Sequence, residues 1–243
     1  MNPPEKSAFE TRLRNLQRPA QVYVLLDGQE TLQQFRSLTK QLVAAGVHVL
    51  QLRDKRLTDR QLVERARLMC ELTRGTPTQS IINDRPDVTV LADADGVHVG
   101  QDELTVADAR AVIGPNRLVG VSTHSIEQAR QAVQDGADYL GCGPTFRSQT
   151  KSFEQFPGLA FLKEGLAEIQ RPAFAIGGID AENLGQLLAI GWTRIAVSSA
   201  VIRSPDPAAA ARSLITRLSA ATLSDWKTSV GQECPGDGGE MRG

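Results

Sequence analysis

A (β/α)8 TIM barrel is the fold class that the sequence predicts, and three observations predict it. Short β-rich runs alternate with amphipathic stretches, eight of each, over roughly 200 residues, near the lower end of the usual length for such barrels. Several runs are apolar on both faces, as parallel strands covered by helices must be, in a closed barrel and an open sheet alike. A glycine closes a helical stretch and a β-rich run follows at Gly46-Val-His-Val, Gly96-Val-His-Val, Gly136-Ala-Asp-Tyr and Gly191-Trp-Thr-Arg. The intervals between these glycines are too irregular for a solenoid. An open doubly wound sheet is the competing topology; no Gly-x-Gly-x-x-Gly follows the first run, which counts against a dinucleotide-binding version of it.

In chain order, a strand at 21–26 leads to a helix at 31–45, and a strand at 47–53 to a helix at 58–73. In that second helix Leu62, Ala66 and Met69 recur at helical spacing behind Thr58, a cap residue. A strand at 80–83 precedes a short helix at 86–92, and a strand at 96–100 precedes a helix at 105–113. The strand at 118–122 feeds a helix at 125–135, where Ile126, Ala129 and Val133 share a face and Ser125 with Gln128 has capping-box spacing. Strands at 139–143, 173–177 and 194–198 are followed by helices at 159–169, 181–190 and 207–220. Charged residues crowd the first 20 positions, and the last 22 hold five glycines with Asp225, Glu233, Asp237 and Glu240. Composition therefore predicts a barrel domain at 21–221 between an N-terminal extension at 1–20, either poorly packed or a helix on the barrel bottom, and a disordered tail at 222–243.

The chain has 243 residues, 41% of them hydrophobic, enough for a substantial core. Lys and Arg number 27 against 28 Asp and Glu, a net charge of −1, so no global charge recruits nucleic acid or an acidic membrane. No apolar run approaches the roughly 18–20 residues that span a bilayer, and the N-terminus is polar; a cytoplasmic protein is expected. Cys70, Cys142 and Cys234 are odd in number and widely spaced, which predicts reduced thiols rather than a disulfide framework or zinc cluster.

Catalytic groups of such a barrel gather at the C-terminal ends of the strands. There the second strand ends Gln51-Leu-Arg53-Asp-Lys55, and alternation puts Gln51, Arg53 and Lys55 on one side. A guanidinium and an ammonium together suit a diphosphate; an exposed basic strand end, solvated or paired with Asp54, is the plainer reading. The third strand ends Asn83-Asp84-Arg85, and Asp102-Glu103 follow the fourth. Two carboxylates beside cations suit magnesium bridged by phosphate, since that ion takes one or two protein carboxylates; helix capping by Asp84, Asp102 or Glu103 is the alternative. After the fifth strand come Ser122-Thr-His124, and after the sixth a long segment, 143–151, with hydroxyls, an amide and two cations, resembling an anion-binding lid. Gly177-Gly178 and Ser198-Ser199 leave backbone N–H groups accessible to a monophosphate. His48 and His98 lie within strands and read as structural, each satisfied by a neighbouring carbonyl; His124 stands at a strand end where it could meet substrate.

In this order, Gln51-Leu-Arg-Asp-Lys55, Asn83-Asp84-Arg85, Asp95-Gly-Val-His-Val-Gly-Gln101, Gly120-Val-Ser-Thr-His124, Gly143-Pro-Thr145, Thr150-Lys151, Ile176-Gly-Gly-Ile179 and Ser198-Ser-Ala200 resemble the thiamine phosphate synthase family over about Val22 to Leu214. The resemblance implies a transferase that condenses hydroxymethylpyrimidine diphosphate with thiazole phosphate, giving thiamine monophosphate and pyrophosphate with Mg2+ as cofactor. It puts Gln51, Arg53, Lys55, Asn83, Ser122 and Lys151 on the pyrimidine diphosphate, with Arg53, Lys55 and Lys151 catalytic. It puts Ser148, Gln149, Thr150, Gly178, Ser198 and Ser199 on the thiazole phosphate, and Asp84 and Glu103 on the metal. The family commonly has aspartate where this chain has Glu103, so Asp102 is the other candidate for that ligand. The partners implied are two phosphorylated small molecules, with no nucleic acid and no membrane; oligomeric state, a homo-oligomer included, is open. Two other readings stand beside it: a barrel similar to the thiazole tautomerases, in which His124 would serve as acid or base, and a non-catalytic phosphate-binding barrel.

Overall fold

Strands β1 (Gln21–Leu26), β2 (Val49–Leu52), β3 (Gln79–Asn83), β4 (Gly96–Val99), β5 (Leu118–Thr123), β6 (Tyr139–Cys142), β7 (Ala173–Ile176) and β8 (Arg194–Val197) pair in parallel in sequence order. Pairing of β8 back onto β1, Val22 opposite Ile195 and Val24 opposite Val197, closes the barrel. The computed structural model describes residues 3–18, 21–146 and 157–230, with side chains from 9 to 222 within those segments. The closed sheet is the predicted one, and the open alternative is excluded.

Between the strands run α2 (Leu32–Ala44), α3 (Asp59–Thr73), α4 (Pro86–Ala92), α5 (Val106–Ile113), α6 (Ile126–Gln134), α7 (Gly158–Glu168), α8 (Leu184–Leu188), α9 (Ser199–Ile202) and α10 (Pro207–Val230). Thr31 and Thr58 cap α2 and α3 in full capping boxes with Gln34 and Gln61. Ser125 caps α6 by accepting from the Gln128 backbone N–H, but the Gln128 amide turns to the His124 N–H at 2.7 Å, so only half of that box forms. Position 181 was expected to open α8, yet Asp180 and Asn183 hydrogen-bond each other's backbone and hold 180–183 as a turn. α10 runs past position 220, where composition predicted its end, to Val230.

The barrel is filled by Tyr23, Val49, Ile81, Leu118, Tyr139, Phe174 and Ala196, and a second, larger core lies between the strands and the helices. At the floor the structure selects the second of the two N-terminal alternatives. Residues 3–16 form a helix, α1 (Pro3–Leu16), and Leu16, 1% exposed, joins the interior cluster with Phe9 and Leu13 packed beside it. Those three recur at helical spacing, a pattern masked by the charges around them. Arg12 pins the helix through a 2.6 Å ion pair to Asp95, whose other carboxylate oxygen accepts from the Ser80 N–H at 2.9 Å; the Gln79 amide donates to the Arg12 carbonyl at 2.8 Å. Leu16→Ala, which empties the floor, is expected to destabilise the fold by about 2–4 kcal/mol in denaturant unfolding without changing KM for a ligand at the opposite end.

Candidate active site at the mouth of the barrel

The end of β2 sets the charge of the mouth. Gln51 is buried and its amide N–H donates to the Tyr23 hydroxyl at 2.9 Å, whereas Arg53 and Lys55 are exposed. Of the two forms of the plainer reading, pairing with Asp54 holds for neither cation, whereas exposure to solvent describes Arg53. Asp54, with a side chain 3% exposed, accepts from the Gly28 and Arg56 N–H groups at 3.1 and 2.8 Å and from the Arg56 guanidinium at 2.7 Å. The Arg56 guanidinium bond is the first cause that holds its carboxyl at about 2. Asp54 thus shapes the loop after β2 and leaves Arg53 and Lys55 to the mouth.

Lys55 instead joins two strand ends. Its Nζ lies 3.6 Å from Asp84 Oδ2 and 3.7 Å from Glu103 Oε1. One cation therefore sits between carboxylates that arrive from β3 and from the loop after β4. Asp84 holds φ at +59°, a left-handed conformation that aspartate tolerates better than most residues, while its N–H donates to the His98 carbonyl at 2.8 Å. Glu103 folds back over Gly100, where an added Cβ would come within 2.2 Å of Glu103 Oε2. The capping alternative fails for all three acids: Arg85 is the N-cap of α4 and no side chain caps that helix, and Thr105 caps α5. Asp102 is exposed and makes no ion pair among the described residues.

Across the mouth, Ser122 Oγ lies 2.9 Å from His98 Nε2, and the Gln101 amide donates to the Ser122 carbonyl at 2.6 Å. His98 Nδ1 lies 3.3 Å from the Tyr139 hydroxyl. Burial first, then the nearby Arg53 charge, push the His98 pKa down to about 4. His48 accepts from the Val22 N–H at 3.2 Å. Neither histidine is satisfied as the sequence suggested, by a carbonyl. His124 is the one that meets a carbonyl, with Nδ1 2.6 Å from the Gly143 oxygen, to which it donates. Asn83, half-buried, ends β3 opposite His98.

On the far side, Thr145 and Phe146 extend β6 along β7, their N–H groups donating to the Ile176 and Gly177 carbonyls at 2.8 and 3.0 Å. Gly177 and Gly178 have φ of 102° and 65°, and a Cβ at Gly178 would lie 2.9 Å from the Phe146 oxygen, so this approach requires glycine. Exposed Ser198 and Ser199 lead into α9, and Ser198 Oγ donates to the Leu25 carbonyl at 3.1 Å. Ser148, Gln149, Thr150 and Lys151 lie outside the described residues. Sequence reading missed Tyr23 and Tyr139, the only tyrosines in the chain; both stand in β-rich runs, and a hydroxyl inside a barrel strand is the signal that could have found them.

Residues 22–201 match the family model described as thiamine monophosphate synthase. The chain belongs to that family. It is 46% identical over 187 residues to a thiamine-phosphate synthase of Rhodopirellula baltica, covering 75% of this chain and 50% of that protein. With a thiamine-phosphate synthase of Chloroflexus aurantiacus it shares 44% over 195 residues, 79% of this chain and 90% of the other. The chain thus spans about half the length of some curated relatives and nearly all of others. Among solved structures, thiamine phosphate pyrophosphorylase from Pyrococcus furiosus superposes with a TM-score of 0.75 at 30% identity, covering 86% of this chain and 98% of that one. No helix among the described residues is long and apolar enough to cross a membrane.

Proposed function

We propose that this chain joins hydroxymethylpyrimidine diphosphate to thiazole phosphate, forming thiamine monophosphate and releasing pyrophosphate. Family membership supports the reaction class, and one observation carries the assignment of the mouth: Lys55 held between Asp84 and Glu103, 3.6 and 3.7 Å from their oxygens, with Arg53 on the same strand end. Gln51, Arg53, Lys55, Asn83, Ser122 and Lys151 would receive the pyrimidine diphosphate. The backbone of Gly178, Ser198 and Ser199, with Ser148, Gln149 and Thr150, would receive the thiazole phosphate.

The acids fit a magnesium ion. Both offer hard oxygen donors and both already face one cationic group; phosphate and water would complete the shell. Bound there, Mg2+ would neutralise charge on diphosphate oxygens. Glu103 rather than Asp102 shares the cation with Asp84 and is the proposed second ligand. In the reaction the exocyclic CH2–O bond breaks, diphosphate leaves with the electron pair, and the aminopyrimidine ring delocalises the positive CH2. The thiazole nitrogen then forms the C–N bond with its own lone pair. No proton has to move, so the chain needs no general base: Arg53, Lys55 and Lys151 stabilise the departing charge, and the phosphate loops align the nucleophile.

His124, already bonded to the Gly143 carbonyl, has no part in this scheme. Mass spectrometry of wild-type reactions is expected to show thiamine monophosphate only when both substrates are supplied. Conversion of a thiazole phosphate isomer alone, without metal, would replace this reading with the tautomerase one.

A further inference from the structure

A hydrogen-bonded chain crosses the barrel interior from one side of the mouth to the other. It runs from Gln51 Nε2 to Tyr23 OH at 2.9 Å, on to Tyr139 OH at 3.2 Å, to His98 Nδ1 at 3.3 Å, and from His98 Nε2 to Ser122 Oγ at 2.9 Å. Barrel interiors of this fold are ordinarily layers of branched apolar side chains. Here both tyrosines are fully buried, 3% and 0% exposed, and His98 is 9% exposed. Gly120 makes the space: a Cβ there would fall 2.1 Å from the Tyr139 ring. Phe174 holds the Tyr23 and Tyr139 rings edge-on at 5.3 and 5.9 Å.

Proton counting gives the chain a direction. An amide N–H can only donate, so Tyr23 accepts from Gln51, and its own proton has one acceptor among the described residues, the Tyr139 oxygen. The Tyr139 proton must then go to His98 Nδ1, because leaving a buried hydroxyl unpaired is costly. An Nδ1 that accepts is unprotonated, so His98 carries its hydrogen on Nε2 and donates it to Ser122. That leaves the Ser122 proton to point into the mouth as a donor, and the Gln51 carbonyl oxygen, with no donor among the described residues, as an acceptor. The polarity of one end determines that of the other, since reversing any link reverses them all.

We propose that Tyr23, Tyr139 and His98 are positioning residues that order the protons of the mouth, fixing Gln51 as an acceptor and Ser122 as a donor. This rests on the pyrimidine site proposed above and goes one step further, to how that site reads its ligand. An aminopyrimidine offers an amine donor beside a ring-nitrogen acceptor, the complement of such a pair, whereas a 4-oxo pyrimidine offers the reverse.

The test is the selectivity for 4-amino over 4-oxo pyrimidine diphosphate, measured as a ratio of kcat/KM. Tyr139→Phe keeps the ring packing but cuts the chain, and is expected to lower that selectivity about tenfold, the order of one hydrogen bond, with KM for thiazole phosphate unchanged. In a Ser122→Ala background the same substitution is expected to add nothing, because its effect passes through Ser122. If Tyr139→Phe fails to fold, Tyr23→Phe, which cuts the chain nearer Gln51, serves instead, with the same expected loss of selectivity. Unchanged selectivity in a folded variant, or effects of Tyr139→Phe and Ser122→Ala that simply add, would overturn the proposal. A wild-type protein that makes no thiamine monophosphate would instead overturn the underlying function.

Discussion

Arg53→Ala is expected to lower kcat/KM by about a hundredfold or more, with thermal stability close to that of the wild type. The stability half follows from position: Arg53 is exposed at the end of β2, and its backbone N–H, which the substitution keeps, is the group that bonds the Leu26 carbonyl at 2.8 Å. The activity half follows from chemistry. When diphosphate departs, the one oxygen that was bonded to carbon keeps the electron pair and the leaving group gains one further negative charge, and losing one preorganised donor at such a site costs on the order of 10²–10³ in rate. Asp54 cannot compensate or compete, because Arg56 and the Gly28 N–H occupy it. Lys151→Ala is expected to behave in the same way. Steady-state kinetics on both variants, with melting curves alongside, check this; near-normal turnover in both would remove the electrostatic basis of the mechanism.

Asp84→Asn is expected to raise the Mg2+ concentration needed for half-maximal rate by at least about tenfold, and to lower the maximal rate as well. Asparagine is the informative replacement because it tolerates the +59° φ of this position, so the loss reports the carboxylate and not backbone strain. Glu103→Gln should follow Asp84→Asn, whereas Asp102→Asn should titrate with Mg2+ like the wild type. A metal response lost with Asp102 and kept with Glu103 would move the second ligand by one residue.

Local chemistry made most of the barrel readable from the amino-acid sequence. The β2 run was legible at 47–53 and is observed at Val49–Leu52, and Thr58 starts α3 as its type and spacing to Gln61 require. What escaped was tertiary. For residues 1–20 a loose extension and a helix on the floor were equally readable, because Phe9, Leu13 and Leu16 have no partner until the barrel floor exists to receive them. The turn at Asp180 and Asn183 shortened α8 because two side chains competed for backbone groups that periodicity alone would give to a helix. The strand-end candidates Gln51, Arg53, Lys55, Asp84 and Glu103 were found because period-two alternation and the barrel rule locate the mouth. That Lys55 stands between the two acids, and that Gln51 and Ser122 are joined through Tyr23, Tyr139 and His98, depends on strands brought together only by closure.

If this mouth stabilises diphosphate as it leaves a pyrimidine methylene, with magnesium held by Asp84 and Glu103, pyrophosphate release must depend on the metal and on both substrates. The most direct test is a pyrophosphate-release assay on the wild-type chain across a Mg2+ titration. With both substrates present, pyrophosphate is expected equimolar with thiamine monophosphate, saturating in Mg2+ and abolished by chelation. Product formation undiminished after rigorous metal removal, or pyrophosphate without coupled product, would contradict it.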